Sequence, residues 1–369
     1  MDADTMLAGI RRWVEIESHT PDHEGMAAIM ALVEGSYAGA GARTERIAGR
    51  DGFGDHIVAR SPWGSGKGVL VLSHLDTVHP RGTLLHQPFR VEGDVAYGPG
   101  IYDMKGGAYL AFQALGDLIR EDRKTPLPIV HLFTSDEEVG SPTSRDLIES
   151  LAREARYVLV TEPGRDGGKV VTSRKGTGRY VMRLTGRPSH SGTSHEDGRS
   201  AVLELAHQIL ALEGMTDYAA GVTVNVGIVA GGTGVNVVPA AAMAEIDFRV
   251  PTDEAARVMV DRIEALTPRV PDVRIELVGG MNRPPYERNA GTVALYARAE
   301  RLAGELGFAL GEVPMTGGGS DGNFTASFVP TLDGLGVLGK GAHTDHEQLY
   351  VSSLVPRMRL MRRLFETLD

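Results

Sequence analysis

Val69-Leu-Val-Leu-Ser-His74 is a short apolar stretch that reads as a strand and runs straight into a histidine. Three further stretches end the same way. Ile129-Val-His-Leu-Phe-Thr-Ser135 leads into Asp136-Glu137-Glu138, Tyr157-Val-Leu-Val-Thr161 into Glu162, and, more weakly, Leu335-Gly-Val-Leu-Gly339 toward His343. A fifth polar residue, Asp103, sits in the glycine-rich loop Gly98-Pro-Gly-Ile-Tyr-Asp-Met-Lys-Gly-Gly107. In an open α/β sheet the carboxyl ends of the strands line one crevice, where ligands bind. Two histidines and several carboxylates delivered there imply a buried site for two divalent cations, and with it metal-assisted hydrolysis.

Working outward, Met6, Leu7, Ile10, Trp13 and Val14 fall at helical spacing, as do Met26, Ile29, Met30, Val33 and Tyr37. Ala108–Ile119 predicts another amphipathic helix, followed by a strand near 128–135, a helix near 142–153 and a strand at 157–161. This alternation predicts an α/β fold: a mixed, mostly parallel sheet sandwiched by helices. The pattern changes after about residue 176. A strand at 179–185, a helix carrying Val202, Leu205, Ile209 and Leu212, strands near 222–229 and 241–250, a helix capped around Thr252-Asp253 and a strand at 273–278 follow in turn. That order, β-α-β-β-α-β, is the split plan of a ferredoxin-like α+β domain. The expected organisation is a catalytic domain made of 1–176 and 283–369, interrupted by a lid and dimerisation domain at 177–282. A chain of 369 residues exceeds what one core commonly organises, which agrees with two domains.

Composition narrows the class. At 42% hydrophobic and 23% charged the chain reads as an ordinary globular protein. A net charge of −10 without a basic stripe argues against nucleic acid as a partner. Cysteine is absent, so any metal is held by nitrogen and oxygen. The first twenty residues carry Asp2, Asp4, Arg11, Arg12, Glu15 and Glu17, which leaves no secretory apolar segment, and no run is long enough to span a bilayer. Cytoplasmic location, with no membrane partner, is the expectation.

In the extended stretch His74-Leu-Asp76, side chains two apart share a face, so Asp76 is placed to hydrogen-bond the imidazole from behind. A strand-end histidine with a turn-capping aspartate is the competing reading. Asp136-Glu137-Glu138 reads in isolation as a solvated turn. Beside a cation pair, one acid becomes a ligand and its neighbour a base for metal-bound water. Asp103 reads either as a ligand or as the cap of the helix beginning near Lys105. Pro163 favours an extended Glu162. His346 rivals His343 as a ligand, with Asp345 and Glu347 read as supporting or surface groups. Three carboxylates and one hydroxide would neutralise two Zn²⁺ ions, making a partly dry site affordable, and Co²⁺ or Mn²⁺ suits the same donors.

Six motifs, SHLDTVHP, GPGIYDMKGG, TSDEEVGS, VTEPG, GRPSHSG and KGAHTDHE, occur in the order seen in the co-catalytic zinc exopeptidases, which the chain resembles over nearly its whole length. That family includes carboxypeptidase G type glutamate carboxypeptidases, aminoacylases, acetylornithine deacetylase and succinyl-diaminopimelate desuccinylase. GGGSDG, and NVVPA followed by DFR, make it most similar to the carboxypeptidase G type. The resemblance implies Asp103 as a bridging ligand followed by a cis peptide. It implies His74 and Glu162 on one zinc, Glu138 and His343 on the other, Asp76 orienting His74, and Glu137 as general base. It further implies that His190 stabilises the oxyanion in a partner subunit's site, and that Asn236, Arg249, Arg283 and Gly318 contact substrate, with an ordinary salt bridge the competing reading for Arg249 and Arg283. The implied activity is amide hydrolysis by two zinc ions, as a metallopeptidase releasing a C-terminal residue such as glutamate, or as an N-acyl-amino-acid deacylase. The substrate would be a small peptide or N-acyl amino acid, and the enzyme a homodimer. A non-catalytic scaffold with a relic site would have been signalled by a missing ligand, and none is missing.

Overall fold

A computed structural model describes residues 2–369. They form two compact units. One contains the chain up to Ser173, Arg288–Thr316 and Ser320–Asp369; the other contains Arg174–Glu287 and Gly317–Gly319.

The first unit is built on strands β1 (Arg43–Ile47), β2 (His56–Arg60), β3 (Gly68–His74), β4 (Ile129–Thr134) and β5 (Ala155–Val160), with the short strand Thr331–Leu332 at one edge. The order is β1-β2-β4-β3-β5, then Thr331–Leu332. β4, β3, β5 and Thr331–Leu332 run parallel, while β2 is antiparallel to both of its neighbours. All seven residues of β3 are buried. Alternation explains this. Val69 and Val71 join the larger core with helices Ala3–Val14, His23–Ala40, Gly106–Arg120 and Leu354–Thr367, while Leu70 and Leu72 join a second core with Ile148 and Ala152 of helix Arg145–Arg153. A strand covered on both faces has no polar side, hence the continuous apolar run. The parallel strands end at one edge of the sheet and deliver His74, the 135–138 turn and Glu162 there.

The pair β1–β2 is not signalled by apolar runs. β1 reads Arg-Thr-Glu-Arg-Ile, an edge strand with no fully buried residue. A small sheet made of Arg90–Glu92, Val95–Tyr97, Gln348–Tyr350 and Gly339–Lys340 likewise consists of segments too short to show a period.

The second unit contains β6 (Gly176–Thr185), helix Ala201–Glu213, β7 (Thr223–Gly231), β8 (Ala241–Val250), helix Asp253–Glu264 and β9 (Arg274–Arg283). Its sheet is antiparallel, in the order β7-β8-β6-β9. Tyr180, Met182 and Leu184 of β6 and Ala244, Ile246 and Phe248 of β8 pack against Leu205, Leu212, Met259 and Ile263 of the two helices. Ser200 and Thr252 cap those helices, accepting from Leu203 N–H and Ala255 N–H. No helix among the described residues is long and apolar enough to cross a membrane.

Candidate metal centre

His74, the last residue of β3, is 1% exposed. Its Nδ1 lies 2.9 Å from the Asp76 carbonyl oxygen and so donates backward, leaving Nε2 to face the crevice. There Nε2 lies 3.2 Å from Asp103 Oδ1 and 3.6 Å from Glu162 Oε1. The other oxygen of Asp103, Oδ2, is 3.4 Å from His343 Nε2, which is 3.2 Å from Glu138 Oε2. Asp103 thus presents its two oxygens to two different histidines, and each histidine has its own glutamate. The ligand atoms of His74, Asp103 and Glu162 all lie within 4.8 Å of one another, and so do those of Asp103, Glu138 and His343. The Asp103–Met104 peptide is cis. His346 is exposed and belongs to neither group.

The charges are strongly interdependent. Burial opposes charge on His74, but Asp103 and Asp76 outweigh it and lift its pKa well above the usual imidazole value. Hydrogen bonds to Asp103 and Glu138 raise His343 to about 11. Burial pushes the Asp103 carboxyl up, yet His343 and His74 overcome it and hold it well below the carboxylate range. Burial raises Glu138, opposed by His343 and aided by the charge of Asp103. The carboxylates therefore draw positive charge to this spot, and the imidazoles must surrender protons to ligate a metal.

The residues fit a pair of divalent cations. Glu138 Oε1 is buried with no hydrogen-bond partner, an acceptor that a cation would satisfy. The donors are all nitrogen and oxygen, in a mixture that suits zinc, cobalt or manganese.

The three consecutive acids separate into different positions. Asp136 is fully buried and accepts from Thr143 N–H and Oγ1–H, both at 2.7 Å, and from Ser144 N–H and Oγ–H at 3.2 and 2.5 Å. It closes the turn and takes no part in either ligand group. Glu138 faces His343. Glu137 Oε2 stands 3.9 Å from His74 Nε2, beside the ligands but in neither group. The Asp76 carboxylate accepts from Glu137 N–H at 3.2 Å, Glu138 N–H at 3.1 Å and Thr20 Oγ1–H at 2.9 Å. Its nearer hold on the His74 ring is through the main-chain carbonyl, since its Oδ1 is 3.5 Å from Nδ1. Glu347, read from sequence as a supporting or surface group, is fully buried and joined to His79, which the sequence does not single out. The HxxxE spacing from His343 to Glu347 was the available signal.

In the second unit, His190 is exposed and its Nδ1 accepts from Gly192 N–H at 3.1 Å and Thr193 N–H at 3.2 Å, which leaves the proton on Nε2. Asn236 is its neighbour, its carbonyl accepting from Ser191 N–H at 3.0 Å. Arg249 makes a two-pronged ion pair with Asp247, Nε at 2.8 Å and Nη2 at 2.9 Å. Arg283 is buried, and a Cβ on Gly319 would meet its Cδ at 2.7 Å. The carbonyls of Gly318 and Gly319 accept from the buried Arg174 at 3.1 and 3.4 Å, a tie that no motif signalled.

Two overlapping histidine–carboxylate triads that share one aspartate, at the carboxyl edge of a mostly parallel α/β sheet, define a metal-dependent hydrolase. Residues 70–367 match the peptidase family M20/M25/M40, and the chain belongs to that family. It is 34% identical over 361 residues to carboxypeptidase G2 of Pseudomonas sp. (strain RS-16), covering 96% of this chain and 87% of that one. It is 27% identical over 393 residues to the succinyl-diaminopimelate desuccinylase of Bordetella parapertussis, covering 100% and 99%. The crystal structure of an M20 family metallo-carboxypeptidase from Sulfolobus solfataricus shares the fold, with a TM-score of 0.77 at 16% identity, over 98% of each chain.

Proposed function

We propose that this protein is a two-metal carboxypeptidase that releases a C-terminal amino acid such as glutamate from a small peptide or peptide-like amide. Zinc is the resident metal, with cobalt or manganese as substitutes. The observation that carries this reading is Asp103, whose two oxygens face His74 and His343 separately. The carboxypeptidase preference draws on the similarity to carboxypeptidase G2.

Bound between these side chains, the cations would supply Lewis-acid polarisation of an amide carbonyl and a water acidic enough to be deprotonated near neutral pH. His74, Asp103 and Glu162 would hold one, and Asp103, Glu138 and His343 the other. Glu137 takes the proton of the attacking water and returns it to the leaving amine nitrogen. Its backbone is anchored on Asp76, which limits how far the base can swing. His190 donates its Nε2 proton to the carbonyl oxygen in a partner subunit's site, as negative charge develops there. Asn236, Arg249, Arg283 and the Gly318 loop bind the substrate carboxylate and its neighbours, with Arg249 exchanging Asp247 for substrate.

The second unit is also the proposed dimerisation and lid domain. β7 is an edge strand with exposed Ile228 and Val229, and helix Ala201–Glu213, which packs on it, exposes Leu203 and Leu210. An apolar edge of this kind favours pairing with a second copy.

The similarity to a desuccinylase favours a second reading, an N-acyl-amino-acid deacylase with the same metals. Turnover of a folate-type or peptidyl glutamate, measured beside N-acetyl and N-succinyl amino acids with zinc added, separates the two. Faster cleavage of the peptidyl glutamate supports the carboxypeptidase. Cleavage of the N-acyl amino acids alone would replace it with the deacylase.

A further inference from the structure

Glu347 lies four residues beyond His343 and has no exposed surface. Its Oε1 accepts from the backbone N–H groups of Tyr102 and Asp103, both at 2.9 Å. Its Oε2 accepts from Gly100 N–H at 3.0 Å and from His79 Nε2 at 2.5 Å. Three amides of one loop thus converge on one carboxylate, the arrangement of a backbone anion nest with the anion supplied by the chain itself. The loop has little freedom to rearrange around a different partner. Gly100 is left-handed at φ 69, and a Cβ there would come within 2.5 Å of Thr77 Cγ2.

Buried charge-assisted hydrogen bonds of this number need a reason, because the same loop could have been closed by ordinary turns. The reason lies in what the two segments carry. One carries Asp103, the aspartate shared by both triads. The other carries His343, which is left-handed at φ 62, with its side chain 53% exposed. Burial does little to hold His343. Its segment is joined to the Asp103 loop by the Glu347 carboxylate, by Gly98 N–H donating to the Glu347 carbonyl at 3.3 Å and by the 3.4 Å contact of His343 with Asp103, and the pairing of Gln348–Tyr350 with Val95–Tyr97 continues the tie.

We propose that Glu347, with His79 as its fourth donor, is a positioning residue that sets the Asp103 loop against the His343 loop and so fixes the affinity of the metal position those two ligands share. The inference rests on the two-metal reading given above. Glu347→Gln keeps the volume but offers one acceptor oxygen, so an amide NH₂ faces either the Tyr102–Asp103 pair or Gly100 and His79. His79→Gln retains a donor near the position of Nε2, and His79→Ala removes it.

The test is a zinc titration against a competing chelator, combined with steady-state kinetics and thermal melts. The wild type binds two equivalents. In Glu347→Gln the second equivalent weakens by about 10–100-fold, the loss typical when a group that orients a metal ligand is removed. kcat falls with it, recovers with excess zinc, and KM stays put. His79→Gln remains close to wild type and His79→Ala follows Glu347→Gln. A Glu347→Gln protein that melts earlier yet binds both equivalents as tightly, with unchanged kcat, would reduce the clamp to a structural one and overturn the proposal. Wild-type zinc affinity and kcat in His79→Ala would remove His79 from it. A wild type that never takes a second equivalent overturns the two-metal reading itself, and is told apart because the variants are then not needed to see it.

Discussion

Asp76→Asn separates two jobs that one side chain can perform. Asp76 is wholly buried, and its carboxylate accepts from Glu137 N–H on Oδ1 and from Glu138 N–H and Thr20 Oγ1–H on Oδ2. Asparagine has one acceptor oxygen. Turned toward the two donors on the Oδ2 side, it leaves its NH₂ facing the Glu137 N–H. Two charge-assisted hydrogen bonds become neutral, at about 1 kcal/mol each, and one buried contact becomes donor against donor, at about 1–3 kcal/mol. The fold should lose about 3–5 kcal/mol in total. His74 keeps its partner, because that partner is the residue 76 carbonyl at 2.9 Å. The metals should therefore stay, while the loop carrying Glu137 loosens and kcat drops by about 10–100-fold. Urea unfolding, metal analysis and kinetics in excess zinc read the three quantities independently. Loss of metal with kcat restored by added zinc would refute this reasoning and return Asp76 to the imidazole. An unchanged unfolding midpoint would show that the 137–138 amides do not depend on it.

Glu137→Gln should keep both metals and lower kcat by about 10²–10⁴, the usual contribution of a general base; normal turnover would remove Glu137 from that role. His131 is buried between Tyr37 Oη at 2.6 Å and Ser73 Oγ at 2.8 Å, and burial lowers its pKa to about 3. The unfolded chain binds its proton near pH 6.5 and the folded one does not, so this group's stabilisation is complete above pH 6.5 and is lost as pH falls toward 3. The span is about 5 kcal/mol, and the difference in urea stability between wild type and His131→Phe should shrink over that window; parallel pH curves would contradict it. Leu210→Asp, on the exposed face of its helix, should convert a dimer to monomer in sedimentation, and an unchanged assembly would move the interface elsewhere.

Much of the fold is written in local pattern, and the reasons are specific. β3 announces itself because both faces are covered, so apolar residues run without interruption into the polar residues at its end, and β4 and β5 do so nearly as well, broken by His131 and Arg156. β1 does not, because an edge strand of Arg-Thr-Glu-Arg-Ile answers to its neighbour and not to a core. Within Asp136-Glu137-Glu138, nothing local separates three acids. What separates them is the left-handed Ser141, at φ 57, which turns the chain so that Thr143 and Ser144 fold back onto Asp136. The role of the Asp76 carboxylate is similarly non-local, since its main-chain donors lie about sixty residues on. Nothing local decides whether Glu347 is a supporting or a surface acid; the loop 244–247 residues earlier, closing over it, does. For Arg249 the sequence leaves substrate binding and a salt bridge both open, and its guanidinium is paired with Asp247 two residues away.

The most direct measurement is an anomalous-scattering map at the zinc edge from crystals grown with zinc. Two peaks should stand on either side of the Asp103 carboxylate, one framed by His74 and Glu162, the other by Glu138 and His343. A map with no peak there, or with a single ion that leaves one oxygen of Asp103 uncoordinated, would contradict the shared aspartate from which the proposed chemistry follows.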